Sequence, residues 1–331
     1  MSRYLVTGGC GFVGSHLAEA LVASGHKVCI LDNLSRGKRE NIPQQCELII
    51  GDITDSDTVD AAMHAVDGCF HLAAANPAAY ADGTWQDNHQ VNLVGTVNVF
   101  NAAARHNSTP VVYTSSAEVY GNNATLPLSE RARPCPLTAY GADKLACEYY
   151  ARMLSVMDKL PSMGLRLFNV YGPRQHPDSP YSGIINRIID QLAQGKPVTL
   201  PDLGEQELDF IYVDDTVRML VATMQLPMQV HEVINACTGR MTSYKQLAGI
   251  LATIYYRPLH IIKQPSGSDF ICTRVGDPSR AIELLGIRAE TQLGDGLTLT
   301  VRDILKDRNN GSGIGTSAAN ITDLIPGVLS C

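Results

Sequence analysis

The stretch Val6-Thr7-Gly8-Gly9-Cys10-Gly11-Phe12-Val13-Gly14-Ser15-His16 constrains the fold more than any other part of the chain. A strand pattern over 3–7 runs into three glycines, Gly8, Gly11 and Gly14, and a helix pattern over 12–24 opens inside them. Glycines at such a junction let the backbone turn sharply and approach a diphosphate, whose charge the helix N-terminus meets. A second strand pattern, 27–32, ends in Asp32, eighteen residues beyond Gly14. A carboxylate there hydrogen-bonds an adenosine ribose diol and repels a 2′-phosphate. Strand, loop, helix and acid in register predict a bound dinucleotide, NAD rather than NADP. Arg36 follows Asp32 instead of replacing it, so the preference stands.

Further strand patterns near 47–50, 68–73, 110–115 and 163–169 alternate with helix patterns near 56–65, 90–106 and 140–157. That alternation predicts an α/β chain built on a Rossmann-type doubly wound parallel sheet. The texture changes after Tyr171, where Pro173, Pro177 and Pro180 interrupt the chain. We expect residues 1–171 to form the nucleotide domain and 172–307 mainly a smaller mixed α/β C-terminal substrate lobe. A segment near 205–235 is expected to return to the first domain, with a helix over 213–225. The Asn-, Gly- and Ser-rich tail, 308–331, has linker composition and is expected to be flexible. After the third strand, Asp52 and Ile53 are placed to meet the adenine. After the fourth, Leu72, Ala73 and Ala74 are small enough, taken together, for the coenzyme to lie against backbone. His71 is read as a packed strand-end residue.

A chain of 331 residues with net charge −7 offers nothing to neutralise a phosphate backbone, which argues against nucleic acid. No apolar run approaches the roughly 18 residues that span a bilayer, and the chain opens on a strand, so neither membrane insertion nor a signal peptide is expected. The nine cysteines are scattered and include no Cys-x-x-Cys. They read as free thiols of a cytoplasmic protein, with no metal site.

Tyr140 and Lys144 form the only Tyr-x-x-x-Lys pair. On a helix, positions four apart share a face. The Lys144 ammonium can then favour the Tyr140 phenolate and draw its pKa down from about 10. Ser116, at the carboxyl end of the fifth strand, can share a substrate oxygen with that tyrosine. At this point the chain resembles the extended short-chain dehydrogenase/reductases, specifically the NAD-dependent sugar-nucleotide epimerases and dehydratases. The likeness runs through the glycine loop, Asp32-Asn33-Leu34-Ser35, Asn92 ahead of Gly95-Thr96, Tyr140/Lys144, Leu167-Phe168-Asn169-Val170-Tyr171-Gly172-Pro173-Arg174 and Asp209-Phe210-Ile211-Tyr212-Val213-Asp214-Asp215.

The resemblance implies that Tyr140 is the base that opens hydride transfer from C4 of the sugar to NAD. It implies that Lys144 holds the nicotinamide ribose, that Ser116 shares the C4 oxygen and that Asn169 contacts the substrate diphosphate. Asn33 and Asn92 join the coenzyme contacts on the same ground. Glu118 falls where dehydratases and decarboxylases carry a glutamate, but Ala117 stands where the dehydratases of dTDP-glucose carry an aspartate. The departures lie at the diphosphate. Leu208 and the region near Gly267 occupy positions where relatives of this type carry arginines, which leaves Arg174, Arg187 and Arg274 as candidates. The leading expectation is a C4 epimerase of a UDP-glucose/UDP-galactose-type NDP-hexose. A 4,6-dehydratase or decarboxylase is the alternative, and a non-catalytic NAD-binding regulator the third reading. Apolar residues on more than one face of the helices near 92–106 and 141–157 fit a homodimer as well as one subunit's own packing.

Overall fold

Period-two alternation in the strands sets up the architecture. In the computed structural model, which describes residues 1–75, 85–176, 183–228, 231–264 and 273–310, successive strand residues enter opposite cores. Leu5, Cys29, Leu31, Cys69, Val111 and Tyr113 pack on one face, while Val6, Val28, Ile30, Phe70 and Val112 pack on the other. The chain runs β1 (Arg3–Thr7), α1 (Phe12–Ala23), β2 (Lys27–Asp32), β3 (Glu47–Ile50), α2 (Ser56–Ala62), β4 (Gly68–His71) and α3 (Trp85–His89). A π-helical turn, Gln90–Gly95, leads into α4 (Thr96–Arg105), β5 (Val111–Ser116), α5 (Ala139–Met157), β6 (Ser162–Leu167) and β7 (Asn169–Tyr171). Then follow α6 (Gly183–Ala193), β8 (Val198–Pro201), β9 (Glu207–Leu208), β10 (Phe210–Tyr212), α7 (Val213–Met224) and β11 (Glu232–Ala236). The remaining elements are β12 (Thr242–Ser243), α8 (Tyr244–Ile254), β13 (Ile261–Gln264), α9 (Ser279–Leu285) and α10 (Leu293–Asn310).

The main sheet is parallel, in the order β11-β6-β5-β4-β1-β2-β3. Its direction of winding reverses between β1 and β4, and ligands of such sheets bind at the carboxyl edge beside that point. Helices α1 and α7 pack together on one face, and α2, α4 and α5 lie on the other. The α/β doubly wound sheet expected from the sequence is therefore present.

Three local outcomes differ from the sequence reading. The strand expected over 163–169 divides at Phe168, whose N–H donates to Ala236 O. Upstream, β6 pairs with β11; downstream, β7 pairs with β10 in a separate ribbon. The helix expected over 90–106 opens with the π turn, a feature that concentrates at functional sites. The segment expected to be linker from 308 begins as the last turn of α10, which reaches Asn310. The rest of that tail, with Pro177, Pro180 and Gly267, lies outside the described residues.

Candidate active site

The loop that joins β1 to α1 has no room for a Cβ at Gly8 or Gly14 and little at Gly11. At Gly8, φ is +70° and a Cβ would meet the Ala73 backbone at 2.7 Å. At Gly14 it would stand 2.2 Å from Gly8 O, and at Gly11 3.2 Å from the same oxygen. The loop thus packs directly on the strand end of β4 and presents backbone to the space above it. Asp32 ends β2 and accepts from Cys10 N at 2.9 Å and Leu34 N at 2.8 Å, tying its own turn to the glycine loop. Asn33 Nδ2 donates to Asp52 at 2.7 Å, and Asp52 accepts further bonds from Thr54 N and Oγ1. These hydrogen bonds, outweighing a partial burial, hold the Asp52 carboxyl below the usual carboxylate range.

The three glycines, Asp32, Asn33 and Asp52 line a cleft of about 770 Å³. Among the predicted coenzyme contacts, Gly8, Gly11, Phe12, Val13, Gly14, Asp32, Asn33, Asp52, Ile53, Leu72, Ala73, Ala74 and Tyr140 all face it. A dinucleotide fits this donor set: glycine backbone for the diphosphate, a carboxylate for the ribose and small residues for the rings. Asn41, Asn186 and Asp303 also line it and went unread in the sequence, because residues brought in from distant segments leave no local signal. Asn92 does not line the cleft but braces its wall. Its Oδ1 accepts from Ala75 N at 2.8 Å, and its carbonyl accepts from Thr96 Oγ1 and Cys147 Sγ. His71 is buried and hydrogen-bonded to Thr7 and Thr96 at 2.7 and 2.9 Å. Burial and the nearby Lys144 charge push its pKa down to about 3, so it is a neutral packed residue.

Of the residues predicted for proton transfer, Ser116 ends β5 and Tyr140 and Lys144 lie in the first turns of α5. Thr138 caps α5, its Oγ1 accepting from Gly141 N at 3.0 Å. A Cβ on Gly141 would lie 2.8 Å from Glu118 O, so the helix start sits tight against the loop that follows β5. Tyr140 is half-buried at the cleft. Lys144 is buried, and its Nζ donates to Thr114 O at 2.9 Å and lies 5.6 Å from the Tyr140 ring centroid. Burial lowers the Lys144 pKa, with Cys147 and Asp143 opposing. Ser116 Oγ accepts from Glu118 N at 3.1 Å, which turns its own O–H elsewhere.

Glu118 is paired with Arg274 at 2.5 Å and accepts from Thr138 Oγ1 at 3.2 Å. Arg274 also bridges Leu208 through its backbone, so its chain position neighbours the one where the resembled families carry an arginine. Asn169 uses its N–H and Nδ2 on Asp209 O at 3.1 and 2.9 Å. Arg174 lies apart from this group. It lines the coenzyme cleft, pairs with Glu19 at 2.6 Å and donates to Asn41 O at 3.0 Å. Arg187, beside the cleft-lining Asn186 on α6, does not itself line the cleft.

The family model for the NAD dependent epimerase/dehydratase family matches residues 4–237. The chain belongs to that family. Its coenzyme is therefore NAD, and it is an enzyme of the sugar-nucleotide epimerase/dehydratase type. Among other members, it is 31% identical over 302 residues to a putative UDP-glucose 4-epimerase of Methanocaldococcus jannaschii, covering 90% of this chain and 96% of that one. It is 30% identical to a UDP-N-acetyl-alpha-D-glucosaminuronate decarboxylase of Bacillus cytotoxicus, covering 91% and 97%. The crystal structure of UDP-glucose 4-epimerase with UDP-glucose from Thermotoga maritima superposes with a TM-score of 0.85 at 30% identity, covering 92% and 99%. Among the described residues, no helix of this family member is long and apolar enough to cross a membrane.

Proposed function

We propose that this enzyme is a sugar-nucleotide 4-epimerase acting on an NDP-hexose of the UDP-glucose/UDP-galactose type through a transient 4-keto sugar. The observation that carries the reading is Tyr140 lining the coenzyme cleft with Lys144, one turn further on, anchored to Thr114 O on the strand that ends in Ser116. When bound, NAD supplies the acceptor that takes hydride from C4 on one face of the sugar and returns it on the other. Tyr140 takes the C4 hydroxyl proton and gives it back, and Ser116 donates a hydrogen bond to the same oxygen. Lys144, a buried ammonium on the same helix face, favours the phenolate during that exchange. Arg274 beside Leu208 meets the substrate diphosphate, exchanging Glu118 for phosphate oxygens as the substrate enters.

A second reading, decarboxylation or 4,6-dehydration, draws on Glu118 and the decarboxylase likeness. The Glu118 carboxylate is already engaged by Arg274 at 2.5 Å and Thr138 at 3.2 Å, and Ala117 supplies no acid. Proton NMR and mass spectrometry of the purified protein in D2O, with nucleotide sugars and no added coenzyme, test both. A C4-inverted product without solvent deuterium is expected. Loss of water or carbon dioxide with deuterium entering the sugar would replace the epimerase reading by the second. In the same assay Tyr140→Phe is expected to lower turnover by about 10²–10⁴-fold with NAD still bound. Unchanged turnover would point to a different base, and no turnover by the unmodified protein to a non-catalytic NAD-binding regulator. We also propose a homodimer paired through α5, where Tyr149, Val156 and Met157 are 60%, 67% and 71% exposed. Light scattering giving one subunit's mass would sink that proposal.

A further inference from the structure

Tyr140 and Lys144 belong to a helix, Ser116 to a strand, and their joint action depends on how that helix is held against that strand. Two successive turns of α5 grip two successive residues of β5. Lys144 Nζ donates to Thr114 O at 2.9 Å, and one turn later Glu148 Oε1 accepts from Ser115 Oγ at 2.6 Å. The next β5 residue is Ser116. Glu148 is gripped in turn by Arg166, the register partner of Ser115 on β6, through Nε at 2.9 Å and Nη2 at 2.7 Å. Both side chains are buried, at 7% and 4% exposure. The guanidinium lies 4.8 Å over the Tyr120 ring, and Tyr120 OH donates to Asn235 Oδ1 on β11 at 2.7 Å. A single carboxylate thus ties α5 to two strands of the main sheet, and Arg166 and Tyr120 carry the contact on to a third.

Neither Glu148 nor Arg166 lines the coenzyme cleft. Stability gives little reason to bury them, because replacing a buried ion pair by apolar residues of similar volume is often neutral or stabilising. A bidentate pair fixes a distance and two orientations, which an apolar contact does not. Misplacing a reacting group by about 1 Å can lower a rate roughly a hundredfold. We propose that Glu148 and Arg166 are a positioning pair for the reaction: through Ser115 they set the alignment of Tyr140 and Lys144 against Ser116, and they touch neither substrate nor coenzyme. This rests on the reading of Tyr140 as the acid–base residue.

The test uses the full chain with bound NAD in three forms: Glu148→Leu/Arg166→Met, which removes both charges together, Ser115→Ala, and Tyr140→Phe. Thermal midpoint and NAD content are measured first. Then come kcat and KM on the nucleotide sugar that the unmodified enzyme turns over, and ultraviolet titration of the Tyr140 phenolate, obtained by difference from Tyr140→Phe. The double variant is expected to stay folded and NAD-loaded and to lose about 10–100-fold in kcat, with KM within about twofold. Its Tyr140 titration is expected to move to higher pH as the Lys144 ammonium loses its register. Ser115→Ala should move both readouts the same way by a smaller factor. A folded double variant with unchanged kcat and unchanged phenolate titration would reduce the pair to packing and overturn the proposal. If the double variant does not fold, Ser115→Ala decides by the same two readouts. Wild-type turnover by Tyr140→Phe would overturn the proposal at its premise and locate the failure in the base, not in the pair.

Discussion

At Gly14 a single methyl group decides whether the coenzyme loop can close. The added Cβ would sit 2.2 Å from Gly8 O and 2.7 Å from Gly9 Cα, both backbone atoms that cannot rotate away. Gly14→Ala is expected to cost about 1–3 kcal/mol of stability by overpacking and to leave the purified protein nearly free of NAD. Chromatography of nucleotide released by heat checks this, and full occupancy would sink it. The glycines were legible because their requirement is local: a strand, a turn and a helix start within eight residues. Asp32 was legible as an acid at a strand end, but its bonds to Cys10 and Leu34, which make it the anchor of the loop, leave no trace in spacing. The pairing of Glu118 with Arg274 joins residues 156 apart. No periodicity reports such a contact, so the sequence shows Glu118 only as a match to the glutamate of dehydratases and decarboxylases, and Arg274 only as a candidate for the diphosphate.

At the scale of elements, strands whose two faces are both buried were easy to read, and the points where a strand changes partners were not. Leu167-Phe168-Asn169 looks like one extended run, yet the chain leaves β11 for β10 there, and the reason lies in residues that follow by forty or more. Asp209, fully buried just ahead of β10, is central to that exchange. Its carboxylate accepts from Thr238 N and Oγ1, Gly239 N and Gly276 N, at 2.9, 2.6, 2.9 and 3.3 Å. It thereby fastens the turn after β11 and the segment leading to α9 around the ribbon that carries Asn169. Asp209→Ala removes a buried carboxylate that accepts four hydrogen bonds, and bonds to a charged acceptor contribute about 1.5–3 kcal/mol each, so a loss of roughly 3 kcal/mol or more is expected. Urea unfolding of the variant at neutral pH measures it. A loss under about 1 kcal/mol would mean that water replaces the carboxylate and that these segments hold together without it.

Across the whole molecule, the sheet could be read from sequence because helices cover both its faces and apolar residues fill the middle of its strands. The short ribbons β8–β13 and β9–β12 could not, since two- and four-residue strands carry too few positions for a period to register. Two histidines packed on that sheet give the folded state a defined acid limit. His71 lies between Thr7 and Thr96, and burial with the Lys144 charge depresses its pKa to about 3. His231 stacks on Tyr113, bonds Ser162, and is depressed to about 4, chiefly by burial. Both folded values lie below the unfolded value of about 6.5. Between about pH 6.5 and 4 the unfolded chain therefore binds more protons than the folded one, and stability falls as pH falls. Each histidine contributes a slope of about 1.4 kcal/mol per pH unit once the unfolded imidazole is charged, about 2.7 for the pair. Their contribution is fully present above about pH 7. Urea unfolding at fixed NAD between pH 7 and 4.5 is expected to show this decline well above the range where carboxylates titrate. A Gln substitution at both positions should lower stability at pH 7 and flatten the curve. A flat profile in the unmodified protein down to pH 5 would mean that these imidazoles take up protons in the folded state, and that His71 is not the sealed residue its two threonine partners make it.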